Sequence, residues 1–596
     1  MPAALSIRVR SPKSQNATNS TASAAAELGR YRRDDDTSFD QVVELANQLT
    51  EEEDIIAGFF QPSPGTRPIF DSVAALGDAQ LGRHETVIGK YLVAFRAVAP
   101  HFPVAAMVGG LAAAAPGALF VVPAARLVSG GDWFDIVYLA VVASLTLLGV
   151  LVGATIGTVY QAQKSFRTDV RENFWGMCSG LTEPDSGGQL ALTDWMHQLV
   201  EDLAGPKPDD APVTFGDLWF ADRAGDYQRG MHARDIPASR AIDLQVITTC
   251  LTDGRPYRFP FRPGDDERQQ FYFRPDELRR LFPAGIVDWL VEHPPEGLTD
   301  IDGIHPMPSP ADVPILMAAR LSLSFPALLS AIPLYRRSPS DEFSVCWFSD
   351  GGIASNFPIH CFDSPVPRWP TLAINLAGPP EEPCSDDDWR DHPDICQQKS
   401  IWLIGDRRTP LGNVSDFAMA IFNTARNWSD NTQAALPGYR DRIIYVGMNP
   451  GEGGMNLNMP RHLRARLSER GALAGAQIRD RFHLPDVGDH PRPTKLWDLH
   501  RWTRYRSSMA VIQGFLGSFH RGYRYSEADP RYEELIESGL DEDFPYRWRD
   551  REHLERALDA TESLDSVASE WRDDGDPEFG DGAPRPQPEV RIRPRI

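Results

Sequence analysis

Positive charge is what this chain has least of: 60 Lys and Arg stand against 83 Asp and Glu, a formal net charge of −23. No basic stretch is continuous enough to neutralise a phosphate backbone, which argues against a nucleic-acid partner. Cysteine is also sparse. The six cysteines, Cys178, Cys250, Cys346, Cys361, Cys384 and Cys396, show neither a paired framework nor the spacing of a metal-ligand set. They read as reduced thiols in a protein facing the cytosol. The fourteen histidines include no His-x-x-x-His pair, so neither a metal nor any other cofactor is expected. No apolar core follows the start as a secretory leader would need, no internal repeat is visible, and the string Gly-x-Ser-x-Gly of a serine-nucleophile elbow occurs nowhere.

With 596 residues the chain exceeds what one hydrophobic core usually serves. Its mean hydropathy of −0.34 is that of a mostly soluble protein, yet two runs depart sharply from it. Phe102 to Ala125 carries no charge for 24 positions, and Ile136 to Gln163 none for 28. Each exceeds the roughly 20 residues that cross a bilayer's hydrocarbon core. Between them lies a polar turn containing Ser129, Gly130, Gly131 and Asp132, so the pair reads as a membrane hairpin. Gly149, Gly153 and Gly157 form a ridge of small residues that lets the partner helix approach. Lys90 and Arg96 precede the hairpin and Lys164, Arg167 and Arg171 follow it, which places both flanks on the cytoplasmic side.

The chain is organised around Trp347-Phe348-Ser349-Asp350-Gly351-Gly352-Ile353-Ala354-Ser355-Asn356-Phe357-Pro358. Phe343 to Phe348 has the length and aromatic content of a buried strand, and it empties into an acid followed by two glycines. Such a carboxylate at a strand end is where ligands and catalytic groups collect in an open sheet. The glycines allow a positive φ and close approach of a substrate.

Asp350-Gly351-Gly352 followed by Asn356-x-Pro358 resembles the Asp-Gly-Gly box of patatin-like phospholipases. The preceding segment, Arg320 to Pro333, resembles the helix-like stretch before that box, and Thr214-Phe215-Gly216-Asp217-Leu218 resembles a string downstream of the family's elbow. The resemblance covers roughly residues 170 to 450. It implies an α/β fold with a mainly parallel sheet flanked by helices, here carrying the inserted hairpin, and hydrolysis of an acyl ester by a Ser-Asp dyad. Asp350 would be the general base, no cofactor would be needed, and a phospholipid or other lipid ester at the bilayer would be the substrate. A serine needs such a base to become a nucleophile, and backbone N–H groups must meet the developing oxyanion.

The nucleophile is harder to place. The nearest string, Gly176-Met177-Cys178-Ser179-Gly180, displaces the serine by one position, which makes Ser179 a candidate with a loop residue as the plainer reading. Ser20 and Ser23 precede a helix-prone Ala-rich stretch but lack the glycines and the strand. His360 follows the box closely and reads as a structural histidine, because the resembling family uses none. Either the elbow and glycine-rich oxyanion loop are missing by truncation, which the intact box favours, or the chain is a non-catalytic scaffold or binding protein. A channel or transporter is disfavoured, since the spans carry no ionisable residue.

The expected organisation is a disordered or aberrant start (1–36), a helical part (37–100), the hairpin (102–163), the main domain (170–525) and an acidic, largely disordered tail (526–596). Within the main domain the sequence predicts a strand at 244–251 turning through Asp253-Gly254 into a second at 257–260. It predicts further strands at 371–376 and 442–447, with a helix over 414–433 between them. Leu192 to Leu203 reads as a helix capped by Thr193 and stopped by Gly205. Arg501, Arg504, Arg506 and Arg521, interleaved with Trp502, Tyr505, Phe515 and Phe519, form either an ordinary solvated helix face or a surface for anionic headgroups.

Overall fold

The computed structural model describes residues 5–9, 40–51, 55–78, 87–127, 133–205, 211–230, 240–261, 270–338, 340–355, 357–369, 371–377, 401–402, 414–449, 452, 459–481, 495–525, 527, 530–541, 543–544, 546–571 and 578–588. The chain divides into two compact units, so the range 170–525 runs across both. The first unit holds residues 1–10, 19–354 and 451–465, and the second holds 11–18, 355–450 and 466–596.

The first unit is built on an antiparallel sheet. Its strands are β1 (Leu5–Val9), β3 (Ile242–Cys250), β4 (Arg255–Phe259), β5 (Phe271–Phe273), β6 (His305–Pro306), β8 (Ile332–Arg337) and β9 (Phe343–Ser349), and a separate short pair joins β2 (Gly176–Cys178) to β7 (Ala327–Leu329). The order is β1-β3-β9-β8-β5-β6, with β4 beside β3. Every pairing in it is antiparallel. The mixed helix-and-sheet class expected from sequence holds, but the mainly parallel sheet does not. Tight connections are the reason. Gly254 at φ 65° turns β3 into β4, and Asp341 at φ 65° turns β8 into β9, and a connection that short joins only antiparallel neighbours.

The core of this unit is aromatic and aliphatic, including Phe215, Trp219, Phe259, Phe273, Phe282 and Phe348. The helix Ile315–Leu323 lies against β3 and β9. It is shorter than the helix-like stretch expected over 320–333, because Pro326 interrupts it and the chain continues as β7, which pairs with β2, and then re-enters the sheet as β8. Leu192–Ala204 is helical as expected and Gly205 closes it at φ 74°, but Ala191 is its N-cap. Thr193 is buried, and its backbone N–H donates to the Gly180 carbonyl at 2.8 Å. At the start of the chain, Leu5–Val9 pairs with β3 rather than being disordered. The candidates Ser20 and Ser23 lie outside the described residues.

The two apolar runs form helices Pro103–Leu127 and Trp133–Glu172. From Ile136 onward the second is long and apolar enough to cross a membrane, and its most apolar window contains no buried residue. Val93–His101 and Pro103–Gly117 pass the same test only as a pair bent by 113°. Glycine sets how closely the two helices approach. A Cβ on Gly109 or Gly153 would collide with the other's backbone carbonyl, and one on Gly157 with Ala105 O, whereas one on Gly149 would meet Ala113 O at an ordinary 3.6 Å. The ridge read from sequence is thus used at Gly153 and Gly157 and hardly at Gly149.

The second unit carries a three-stranded sheet, β10 (Ala373–Ala377), β12 (Ile443–Gly447) and β11 (Ile401–Trp402), in the order β10-β12-β11. β10 and β12 are parallel, with helix Val414–Ala434 between them in sequence, close to the predicted arrangement. The tail is not largely disordered. Helix Arg551–Glu570 packs on Lys495–Tyr523, and Asp565, 4% exposed, receives Arg524 Nε and faces His520 Nδ1, both at 2.8 Å. Its acidic composition hides an amphipathic face formed by Leu554 and Ala568.

Candidate functional site

β9 delivers its carboxylate where the sheet stops. Asp350 follows Ser349 directly, caps the short 3-10 turn Gly351–Ile353, and is 4% exposed. Its Oδ1 accepts the Gly352 N–H at 2.5 Å. The Asp350 N–H donates to Ser324 O at 3.0 Å, and Ser349 Oγ donates to the same carbonyl at 2.7 Å. The carboxylate is therefore held by its own turn, and the Asp350 backbone by the chain leaving helix Ile315–Leu323.

Gly351 is required for closeness rather than for φ. It does not occupy the left-handed region, and a Cβ there would collide with the Ile247 carbonyl of β3. The glycine lets the turn press flat on the sheet.

The surroundings are unusually polar for a core. Thr248, Thr249, Ser322, Ser324 and Ser349 are all buried at this strand end. Thr248 Oγ1 donates to Ser349 O at 2.9 Å. Ser322 Oγ lies 3.2 Å from where a Gly351 Cβ would project, and neither it nor Thr249 Oγ1 has a hydrogen-bond partner among the described residues. Buried polar atoms left unpaired cost stability, so these two hydroxyls at the strand end that carries Asp350 call for an explanation.

Arg320 ties this cluster to the loop after β2. It is fully buried, and it donates from Nη1 to Ser324 Oγ at 2.5 Å and from Nη2 to Ser179 O at 3.0 Å and Ser330 O at 3.1 Å. Burial pulls its pKa down to about 10, so it stays cationic at neutral pH. The same burial pushes the Cys178 thiol up.

The structure treats the sequence-derived candidates differently. Ser179 is 8% exposed and its Oγ accepts the Leu181 N–H at 3.1 Å. Its carbonyl shares Arg320 with Ser324, whose own carbonyl holds Asp350. His360 sits in the 3-10 turn Ile359–Phe362 of the second unit, whereas Asp350 belongs to the first. Arg504 is not a headgroup ligand on an open face. It is buried, and it donates to Asp363 at 2.7 Å and to Ser364 O at 2.8 Å.

Sequence reading missed Ser322, Ser324 and Arg320 as a set. The local signal was a run of serines alternating with leucines after an arginine, which reads equally as an ordinary helix. It also missed a second cluster on the same sheet, where Cys250, Asp253 and Cys346 bring ligand-type atoms within 4.8 Å of one another. The Cys346 thiol donates to Cys250 and lowers its pKa.

No protein-family model matches the chain, and no solved structure matches it. Over 499 residues it is 32% identical to the RpoH suppressor of Rhizobium meliloti (strain 1021), an alignment covering 74% of this chain and 73% of that protein. With that identity sustained over most of both proteins, the chain belongs to the family of the RpoH suppressor.

Proposed function

We propose that this chain is a membrane-associated, patatin-like acyl hydrolase acting on phospholipid or another lipid ester, with Asp350 as the general base of a Ser-Asp dyad. The observation that carries the reading is the buried Asp350 at the end of β9, whose carboxylate accepts the Gly352 N–H, whose backbone N–H donates to the Ser324 carbonyl, and which is set among buried hydroxyls. A carboxylate so placed can take the proton of a serine hydroxyl as that oxygen attacks an ester carbonyl, then return it to the leaving alcohol. The exposed apolar helix from Ile136 supports a bilayer location, and the Lys and Arg residues flanking the hairpin support a cytoplasmic position for the sheet. A bilayer presents lipid esters beside such a site.

A second reading is favoured by one contact. Asp350 Oδ1 caps its own turn through Gly352 N–H, which is also what a purely structural aspartate would do. In that case the protein is a patatin-like membrane scaffold or binding protein.

Labelling of the full chain in membranes with a fluorophosphonate, followed by peptide mapping, separates the two. Hydrolase chemistry requires one labelled serine whose labelling disappears in Asp350→Asn. Absence of any labelled serine would leave the scaffold.

A further inference from the structure

Cys250 and Cys346 are far apart in sequence and adjacent in the sheet. Cys250 is the last residue of β3 and pairs with Phe348 of β9. Cys346 lies two residues before Phe348, so it occupies the diagonal position on the same face, within reach of Cys250. Both are buried, at 0% and 1% exposure. Asp253 follows in the tight turn into β4, and its backbone N–H donates to Cys250 Sγ at 3.4 Å. The two thiol sulfurs and one carboxylate oxygen all lie within 4.8 Å of one another. Tetrahedral zinc, with bonds of about 2.3 Å to sulfur and 2.0–2.2 Å to oxygen, needs ligand atoms roughly 3.3–3.8 Å apart, which small side-chain rotations would reach.

What surrounds the three groups is what a metal ligand set requires. Arg336 of β8 holds the Asp253 carboxylate with both terminal nitrogens, at 2.9 and 3.1 Å. Tyr257 Oη donates to the same carboxylate. Outer partners of this kind orient a ligating carboxylate; Oδ2 accepts both Arg336 Nη1 and Tyr257 Oη, while Oδ1 accepts Arg336 Nη2 and keeps its second lone pair for an ion. The charges also close. Two thiolates and one carboxylate balance a divalent cation together with the Arg336 guanidinium, so the filled site is neutral, as a buried site must nearly be. Without the ion, two neutral thiols beside the Asp253–Arg336 pair are neutral as well. Leu251, next to Cys250, is 51% exposed, and Tyr257 packs edge-on against Phe271 and Phe348.

We propose that Cys250, Cys346 and Asp253 form a binding site for a thiophilic divalent cation, zinc being the physiological choice, with water in the fourth position. The site braces β3, β9 and the β3–β4 turn, and it is independent of the hydrolase reading.

The test is metal content of the full-length protein in detergent, after incubation with excess zinc and removal of free metal, together with the visible spectrum of the cobalt-substituted protein. One zinc per chain is expected, with the intense absorption of tetrahedral thiolate-bound cobalt. Cys250→Ser and Cys346→Ser should each fall to background, and Asp253→Asn should weaken binding at least tenfold. A chain with Cys178, Cys361, Cys384 and Cys396 changed to serine should bind as the parent does. The parent chain itself decides the matter even if a variant misfolds: substoichiometric zinc, or a Cys250–Cys346 disulfide in its place under reducing purification, overturns the site.

Discussion

The carbonyl oxygen of Ser324 accepts the N–H of Asp350 at 3.0 Å, while the hydroxyl of the same Ser324 is held at 2.5 Å by the fully buried Arg320. The position of the candidate base is thereby coupled to a cation that also grips the loop after β2 through Ser179 O. Replacing Arg320 with Met should leave the Ser179 and Ser330 carbonyls and the Ser324 hydroxyl without that donor. A loss of about 3–5 kcal/mol of stability is expected for breaking such a buried network, measurable by urea unfolding of the protein in detergent. A loss under about 1 kcal/mol would mean that the loop and the Asp350 turn hold their places without Arg320.

Gly351→Ala places a methyl group against the Ile247 carbonyl, a rigid part of β3 that cannot swing away. The turn must lift from the sheet, so the substitution should cost roughly 2–4 kcal/mol, the range of overpacking and backbone strain. Thermal unfolding checks it. Gly254→Ala, on an open turn at φ 65° with nothing near its Cβ position, should cost only about 1 kcal/mol of conformational strain.

Asp350 can be tested so that its two jobs come apart. Asparagine keeps the side-chain oxygen that receives Gly352 N–H but cannot act as a base, whereas alanine loses both. Under the hydrolase reading, Asp350→Asn should lower fluorophosphonate labelling by about 10²–10⁴-fold with little change in melting temperature. Asp350→Ala should match that loss and also destabilise by about 1 kcal/mol, as loss of a cap does. Equal labelling of parent and Asp350→Asn would remove Asp350 from the chemistry.

Local pattern carried the strand that ends at Asp350 and the hairpin after 244, since β9 runs Phe343–Ser349 and β3 Ile242–Cys250. In each case an aromatic or β-branched run met a turn-forming Asp-Gly. What local pattern could not carry was which strands pair. The resemblance over roughly 170–450 implies a parallel sheet, but among the described residues parallel pairing occurs only between β10 and β12 of the second unit and in the short β2–β7 pair. Residues 327–333, the end of the helix-like stretch Arg320–Pro333, carry leucines and a serine that fit a helical face as well as a strand, and they form β7 and the start of β8. Register is equally silent in sequence, which is why Cys250 and Cys346 gave no ligand-spacing signal although they are diagonal neighbours. The helix Arg551–Glu570 was missed because acidic composition was weighed above its narrow apolar face.

Asp253 supplies a prediction in pH. Burial is the largest single influence on it and acts to raise its pKa, but the hydrogen bond from Tyr257 and the Arg336 guanidinium together outweigh burial and hold the carboxyl below its usual range. A carboxylate depressed in the folded state contributes stability above its unfolded pKa of about 3.9, and that contribution is lost as pH falls through the lower folded value. The parent, stripped of metal with a chelator, should therefore lose stability along this acid limb. Asp253→Asn should start lower at neutral pH and decline less steeply below about pH 4. Parallel acid limbs in urea unfolding at graded pH would show that the pair with Arg336 contributes nothing to the slope.

The hairpin offers the sharpest contrast, because neighbouring glycines on one helix face are predicted to differ. Gly153 and Gly157 lie against the backbone of Pro103–Leu127, at Gly109 and Ala105, and no side chain fits there. Gly149 has ordinary contact distance to Ala113 O. Helices in lipid associate through close packing rather than through exclusion of water, so widening the gap at one point removes contacts along the seam. Gly153→Leu and Gly157→Leu should separate the helices, read as loss of a disulfide cross-link engineered between Gly110→Cys and Ala154→Cys, whose Cβ positions lie 3.6 Å apart in the parent. Gly149→Ala should leave the cross-link yield within about twofold of the parent, as a substitution without collision predicts. Equal losses at 149 and 153 would mean that the helices are held by their ends and not by this ridge.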